Sequence, residues 1–260
     1  MSNPLDFSAK AVLITGGSRG IGRGIAQAFL EAGADVAVCS RKEPEELPSA
    51  GGKSASFVSA DVRDAEQVEA MVNEVVERLG RLDVLVNNAG GAPFADAATV
   101  SPRFSEKVIQ LNLIASLHGA QQANRVMQRQ DSGGVIINIA SVSGVRPSPG
   151  TAAYGAAKAG LINLTGSLAI EWGPKVRVNA VSAGMIRTEQ AHLYYGDEAG
   201  IARVADTVPL KRLGTPGDVA GACLYLASPL ASYVSGANLV LHGGGETPAF
   251  LTAANANRRE

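Results

Sequence analysis

The sequence predicts an α/β fold: one domain built on a doubly wound, seven-stranded parallel sheet with helices on both faces. Three observations carry this. Short apolar runs rich in strand formers alternate with longer stretches of helical period. The first run, Ala11-Val12-Leu13-Ile14, breaks at Thr15-Gly16-Gly17-Ser18-Arg19-Gly20-Ile21-Gly22 and a helical pattern follows at once. The alternation then continues without interruption, so a single domain is expected over residues 1–260.

The composition narrows the function. Hydrophobic residues make up 46% and charged residues 18%, with a formal net charge of −1, so no overall field favours nucleic acid or an anionic membrane. Aromatics at 5% leave little for a base-stacking surface. The amino-terminal stretch lacks a charged-then-apolar targeting pattern and no apolar run reaches membrane-spanning length, so a cytoplasmic protein is expected. Cys39 and Cys223 stand far apart without redox or metal spacing and are expected to be buried free thiols. His118, His192 and His242 are equally scattered, and no metal is expected.

Taken in order, the glycine loop joins a strand to a helix whose Ile21, Ile25, Ala26, Phe29 and Leu30 share a face. Gly16, Ser18, Arg19, Gly20, Ile21 and Gly22 thus form a place for a diphosphate: glycine permits close backbone approach, and the helix start offers free N–H groups and its positive dipole end. No Gly-Lys-Ser/Thr ending is present, which excludes a triphosphate P-loop. Asp35-Val36-Ala37-Val38-Cys39 is the second strand. Asp35 lies at its amino end, whereas ligands of such sheets bind at carboxyl ends, so Asp35 is read as a turn residue. At the correct end stand Ser40, Arg41 and Lys42. A hydroxyl and two cations, with Arg19 near, suit a ribose 2′-phosphate where a carboxylate would repel it, so NADP(H) is expected over NAD(H).

Pro44–Gly52 reads as a polar connection, and Ser56–Ala60 as a third strand ending at Asp61-Val62. A helix follows from Asp64, its N-cap, to Leu79, with Gly80 ending it. Asp83–Val86 is the fourth strand, followed by Asn87-Asn88-Ala89-Gly90. Ser101–Arg129 is a long helical region with polar Asn112 among apolar neighbours. Val135–Ala140 is the fifth strand and ends at Ser141. The next helix opens at Thr151 and runs to about Trp172; Tyr154 and Lys158, four apart, lie on one face. Lys175–Val181 is the sixth strand. Glu189–Val208 is irregular in composition and is read as a substrate lid, about 185–210. Pro209–Ala220 starts the last helix, Asn238–Leu241 is the seventh strand, and a polar tail covers about 246–260.

The glycine loop, Asn-Asn-Ala-Gly, Ser141 and Tyr-x-x-x-Lys in this register resemble the short-chain dehydrogenase/reductase family, from about Lys10 to Gly244. The last section resembles the 3-oxoacyl-[acyl-carrier-protein] reductase branch. The resemblance implies a Rossmann-type fold and a homo-oligomer, tetramer or dimer. It gives Asp61 and the Val62 backbone the adenine, Asn88 and Gly90 the adenosine ribose, and Ile186 and Thr188 the nicotinamide carboxamide or phosphates. It implies catalysis by Ser141, Tyr154 and Lys158, with Asn112 holding a water beside the lysine. Lys158 is expected to lower the Tyr154 pKa. Two departures stand out: Ala183 replaces the usual proline, expected to loosen a turn, and His242-Gly243-Gly244-Gly245 replaces Asp-Gly-Gly.

The expected activity is hydride transfer between NADP(H) and a small-molecule carbonyl or secondary alcohol, with 3-oxoacyl thioester reduction first. The alternatives are an alcohol or sugar dehydrogenase and, from another class, a non-catalytic NADP(H)-binding sensor.

Overall fold

The computed structural model describes residues 3–254; Met1, Ser2 and residues 255–260 of the expected tail lie outside the described residues. The main sheet comprises β1 (Ala11–Thr15), β2 (Asp35–Ser40), β3 (Ser56–Ser59), β4 (Val84–Asn87), β5 (Gly134–Ser141), β6 (Val176–Ala183) and β7 (Asn238–Leu241). Its order is β3-β2-β1-β4-β5-β6-β7, every pair parallel. The chain reverses its direction of travel across the sheet between β1 and β4, which opens a crevice at the carboxyl ends of those strands. This is the Rossmann-type sheet expected from the alternation.

The strands are apolar on both faces, as a covered parallel sheet requires. Val12 and Ile14 of β1 face a core with Ile25 and Phe29 of α1 (Gly20–Glu31) and Val219 and Leu226 of α8 (Pro216–Ala227). Leu13, between them, points the other way. There it joins Met71 and Val75 of α2 (Ala65–Leu79), Met127 of α4 (Ala115–Met127) and Leu168 of α5 (Ala152–Trp172). Period-two alternation along each strand thus feeds two cores. Phe7 closes the amino-terminal edge of the first, edge-on to Phe29 at 5.1 Å.

Helix ends follow their sequence signals. The Asp64 carboxylate accepts from the amides of Glu66 and Gln67, and Gly80 takes the left-handed conformation at φ +75°. The long region after Ser101 is α3 (Pro102–Ile109), a π-helical turn over Gln110–Ile114, and α4. Asn112 sits inside that turn, so the polar residue does mark a break in the helix.

Several expectations need correction. The connection before β3 contains a two-stranded hairpin, Ser49–Ala50 with Lys53–Ser54, turned by Gly51 and Gly52 at positive φ. The compositionally irregular stretch Glu189–Val208 holds two helices, α6 (His192–Tyr195) and α7 (Glu198–Thr207), the latter capped by Asp197. The helix expected from Pro209 begins only at Pro216, because Thr215 and Asp218 form a reciprocal capping box there. A short helix, α9 (Ala249–Ala253), follows β7 within the tail. Ala183 ends β6 and does not lie in a turn. It is buried, paired with Ser141 on one side and Leu241 on the other, and carries the N–H that a proline would lack.

Candidate active site and cofactor cleft

The glycine loop is cramped enough to explain its composition. A Cβ on Gly17 would stand 2.5 Å from Val38 Cγ1, and one on Gly22 would stand 2.3 Å from the Gly16 carbonyl oxygen. Gly16 and Gly20 take φ of +64° and +54°. Asn88 locks the loop from the next strand: its Nδ2 donates to the carbonyls of Thr15 at 2.9 Å and Gly16 at 3.1 Å. Thr15 Oγ1 in turn accepts from the Asn88 and Ala89 amides. Arg19 is the N-cap of α1 but supplies no side-chain cap. The Gly20 amide instead donates to Glu189 Oε1 at 2.9 Å. A carboxylate therefore already rests where the loop was expected to take an anion, and the bare backbone around it suits a diphosphate. Ser18 and Ile21 flank this point, half-buried.

At the end of β2, Arg41 and Lys42 are exposed, and among the described residues neither they nor Arg19 join an ion pair. Ser40 is less free, since its hydroxyl donates to the Lys42 carbonyl at 2.6 Å. Asp61 lies beside them after β3, with its amide bonded to Gln67 and its carboxylate bound by the Arg63 guanidinium through Nε at 2.9 Å. The Arg63 hydrogen bond holds the Asp61 carboxyl below its ordinary range despite partial burial. Asp61 is thus engaged within the chain, where the sequence had left it free for an adenine; Val62 is buried beneath it. Asp35, expected in a turn, is instead the first residue of β2, where it pairs with Lys53 at the end of the strand away from the crevice.

The third group gathers at the ends of β4 and β5 and on α5. Ser141 ends β5, accepts from the Ser143 amide and shares a hydrogen bond with Tyr154. Lys158 is buried, with Nζ 5.7 Å from the Tyr154 ring centre and donating to the Ile139 carbonyl at 2.7 Å. Asn112 is fully buried; its amide donates to Gly91 O and Val108 O at 2.9 Å and accepts from Gly91 N at 2.8 Å. Gly90 packs between them: a Cβ there would lie 2.7 Å from Asn112 Oδ1 and 3.3 Å from Lys158 Nζ. The sequence-predicted cluster is therefore brought together.

Its electrostatics run against expectation. Burial pushes the Tyr154 phenol above its ordinary value, and the Ser141 hydrogen bond only partly offsets this. Burial also pulls Lys158 down to about 8, since no carboxylate is there to hold its charge. Lys158 spends its bond on a carbonyl, so in the protein alone it does not depress the tyrosine.

Past the end of β5 opens a cleft of about 170 Å³, lined by Val142, Val145, Arg146, Met185, His242 and Glu246 among others. Arg146 and Glu246 form an ion pair across it. Tyr195 lies near this pair: burial raises its phenol, with Tyr194, Glu246 and Tyr154 adding to the effect. Phe94, His192 and Tyr194 are exposed. A second hollow of about 70 Å³ is lined by Pro93, Phe104, Val108 and Tyr154 among others. Ile186 is buried and bridges to Gly214, while Thr188 places its methyl about 3.6 Å from where a Gly20 Cβ would be.

Sequence reasoning passed over Glu189, Arg63, Thr15 and the Arg146–Glu246 pair. Thr15, the first residue of the glycine motif, and Arg63, two residues from Asp61, had local signals; the Glu189 and Arg146 contacts span 169 and 100 residues. Among the described residues no cluster could hold a metal ion, and no helix is long and apolar enough to cross a membrane.

A family profile described as Enoyl-(Acyl carrier protein) reductase matches residues 16–246. The 3-oxoacyl-[acyl-carrier-protein] reductase FabG of Staphylococcus aureus is 39% identical, over 90% of this chain and 97% of its own. The 3alpha-hydroxysteroid dehydrogenase of Mediterraneibacter gnavus is 38% identical, over 90% and 96%. Among solved structures, the ligand-free aldohexose dehydrogenase of Thermoplasma acidophilum superposes with a TM-score of 0.86 at 31% identity, covering 98% of this chain and 99% of that one.

Proposed function

This chain belongs to the short-chain dehydrogenase/reductase family of oxidoreductases, and on that premise we propose that it moves hydride between NADP(H) and a carbonyl or secondary alcohol, with Tyr154 as acid and base. The observation that carries the reading is Ser141 against Tyr154 with buried Lys158 one turn along, and Tyr154 lining a hollow open to a substrate. The nicotinamide, when bound, supplies or receives the hydride.

The chain's own residues do the rest. Gly16, Ser18, Gly20, Ile21 and Gly22 cradle the diphosphate, with Asn88 and Gly90 beside the adenosine ribose. Asp61 and the Val62 backbone meet the adenine. Ser40, Arg41, Lys42 and Arg19 meet the 2′-phosphate; the two cations at the end of β2 and Arg19, free of ion pairs among the described residues, support this choice of cofactor. Ile186 and Thr188 line the nicotinamide end. Ser141 holds the substrate oxygen, and the Tyr154 hydroxyl gives that oxygen a proton in reduction and takes it back in oxidation. Lys158, charged below about pH 8, holds the nicotinamide ribose beside Tyr154. Asn112 serves the proton relay through the π-helical turn it occupies, because its side chain is spent on Gly91 and Val108.

We place 3-oxoacyl thioesters first as substrate, following the FabG relative. Oxidation of an alcohol or sugar is the second reading, favoured by the polar Arg146–Glu246 pair across the cleft. Exposed Ile170 on α5 and Leu239 and Val240 on the edge strand β7 support a homo-oligomer, tetramer or dimer. Two buried, unpaired thiols support a cytoplasmic site.

The test is turnover of both cofactors against 3-oxoacyl thioesters, ketones, steroids and aldoses, in both directions. Tyr154→Phe is expected to lose about 10²–10⁴ in kcat while cofactor binding survives. Tight cofactor binding without turnover across the panel supports a sensor instead.

A further inference from the structure

The Gly20 amide opens α1 and is the point at which the proposed diphosphate would sit. In the structure it is not free. Glu189 Oε1 accepts from it at 2.9 Å, the residue before it lends no side-chain cap, and Gly20 takes φ +54°, so no side chain of its own shields the position. A carboxylate at a helix start is stabilised by the unpaired N–H groups and by the dipole, the same features that would hold a phosphate. One anion excludes the other.

Glu189 is also the first residue of the lid. The Gln190 amide donates to Thr188 Oγ1, the Ala191 amide to Thr188 O, and the His192 ring nitrogen lies 3.0 Å from Glu189 O. Ala191 is buried with Ile201 and Leu213, and Tyr195 packs against this small core. Behind it, Arg187 pairs with Glu198 and the Arg187 amide donates to Gly214 O. The carboxylate therefore ties α1 to an element that carries Tyr194 and Tyr195 toward Tyr154.

We infer that Glu189 is an internal stand-in for the cofactor diphosphate, a latch that holds the lid on the glycine loop until the cofactor displaces it. The inference rests on the cofactor reading above. Arrival of a diphosphate at Gly20 brings like charges together, expels the carboxylate and frees the start of α6, so occupancy of the cofactor cleft is felt beside Tyr154. Glu189 thereby sets cofactor affinity through competition, and equally for the phosphorylated and unphosphorylated ribose, since both carry the same diphosphate.

Calorimetric titration of the full chain with NADPH and with NADH, in wild type, Glu189→Gln and Glu189→Ala, tests this. Removing a self-bound anion from a helix start is expected to tighten both cofactors alike, by roughly two- to fivefold. Inorganic pyrophosphate, titrated as a bare probe, is expected to gain by a similar factor. Hydrogen exchange of the cofactor-free protein supplies a second readout: amides of residues 190–195 exchange faster in Glu189→Ala than in wild type. Equal or weaker binding in both variants overturns the latch, as does unchanged exchange. If wild type and variants all fail to bind either cofactor, the cofactor reading itself falls and takes the latch with it.

Discussion

Lys158 shows how burial sets the chemistry of a single residue. Its ammonium is enclosed with one carbonyl partner, and its pKa falls to about 8. A lysine depressed in the fold binds its proton more weakly there than in the unfolded chain, whose pKa is about 10.4. Between those values the unfolded state holds the extra proton, so stability rises with pH. Wild type is expected to gain roughly 3 kcal/mol over that window relative to Lys158→Met. Urea denaturation at pH 7, 8, 9 and 10 checks the difference in slope; parallel curves refute it. The same titration predicts that reductive turnover declines as pH rises past about 8. Arg41 offers a contrast, because it is exposed and joins no ion pair among the described residues. Arg41→Ala is expected to weaken NADPH binding roughly tenfold and to leave NADH nearly unchanged. Equal losses for the two cofactors would remove the 2′-phosphate assignment.

At the scale of elements, strand and helix termini do the positioning. β5 runs eight residues and delivers Ser141 at its end, while α5 starts at Ala152 and brings Tyr154 and Lys158 round to meet it. The π-helical turn between α3 and α4 turns Asn112 inward to pin Gly91, which fixes the loop carrying Gly90. α8 is an instructive case because it supports β1 without touching the site. Its capping box uses Thr215 Oγ1 on the Asp218 amide and the Asp218 carboxylate on the Thr215 amide at 2.7 Å, with Arg212 bonded to the same carboxylate. The Arg212 hydrogen bond holds the Asp218 carboxyl far below its ordinary range. Thr215→Ala is expected to cost about 1 kcal/mol in thermal or urea stability. Cofactor affinity, measured alongside, should not change.

For the whole molecule, the two cores decide accessibility. Cys39 is sealed beneath α2 on one face of the sheet and Cys223 sits on the core-facing side of α8 on the other, both fully buried. Burial raises the first thiol to about 11 and the second to about 12. At pH 8 neither offers thiolate to a reagent, so labelling should follow global unfolding. Both thiols are expected to become reactive together across one urea transition; early labelling of either in native buffer would place it in a separately opening region.

What the sequence by itself determined was everything carried by spacing. Period-two and period-3.6 patterns gave seven strands in the right order of appearance, because a parallel sheet buries both faces and leaves near-continuous apolar runs. Glycine placement marked the loop, Asp64 and Gly80 marked the ends of α2, and Tyr154 with Lys158 fell on one helical face. The tertiary structure alone decided what depends on residues far apart in the chain. Glu189 reaches Gly20 across 169 positions and Arg146 reaches Glu246 across 100, and neither pairing leaves a local trace. It also decided the sign of the Tyr154 shift. A pKa is a balance of desolvation against hydrogen bonds and charges, and that balance exists only once the surroundings have been assembled.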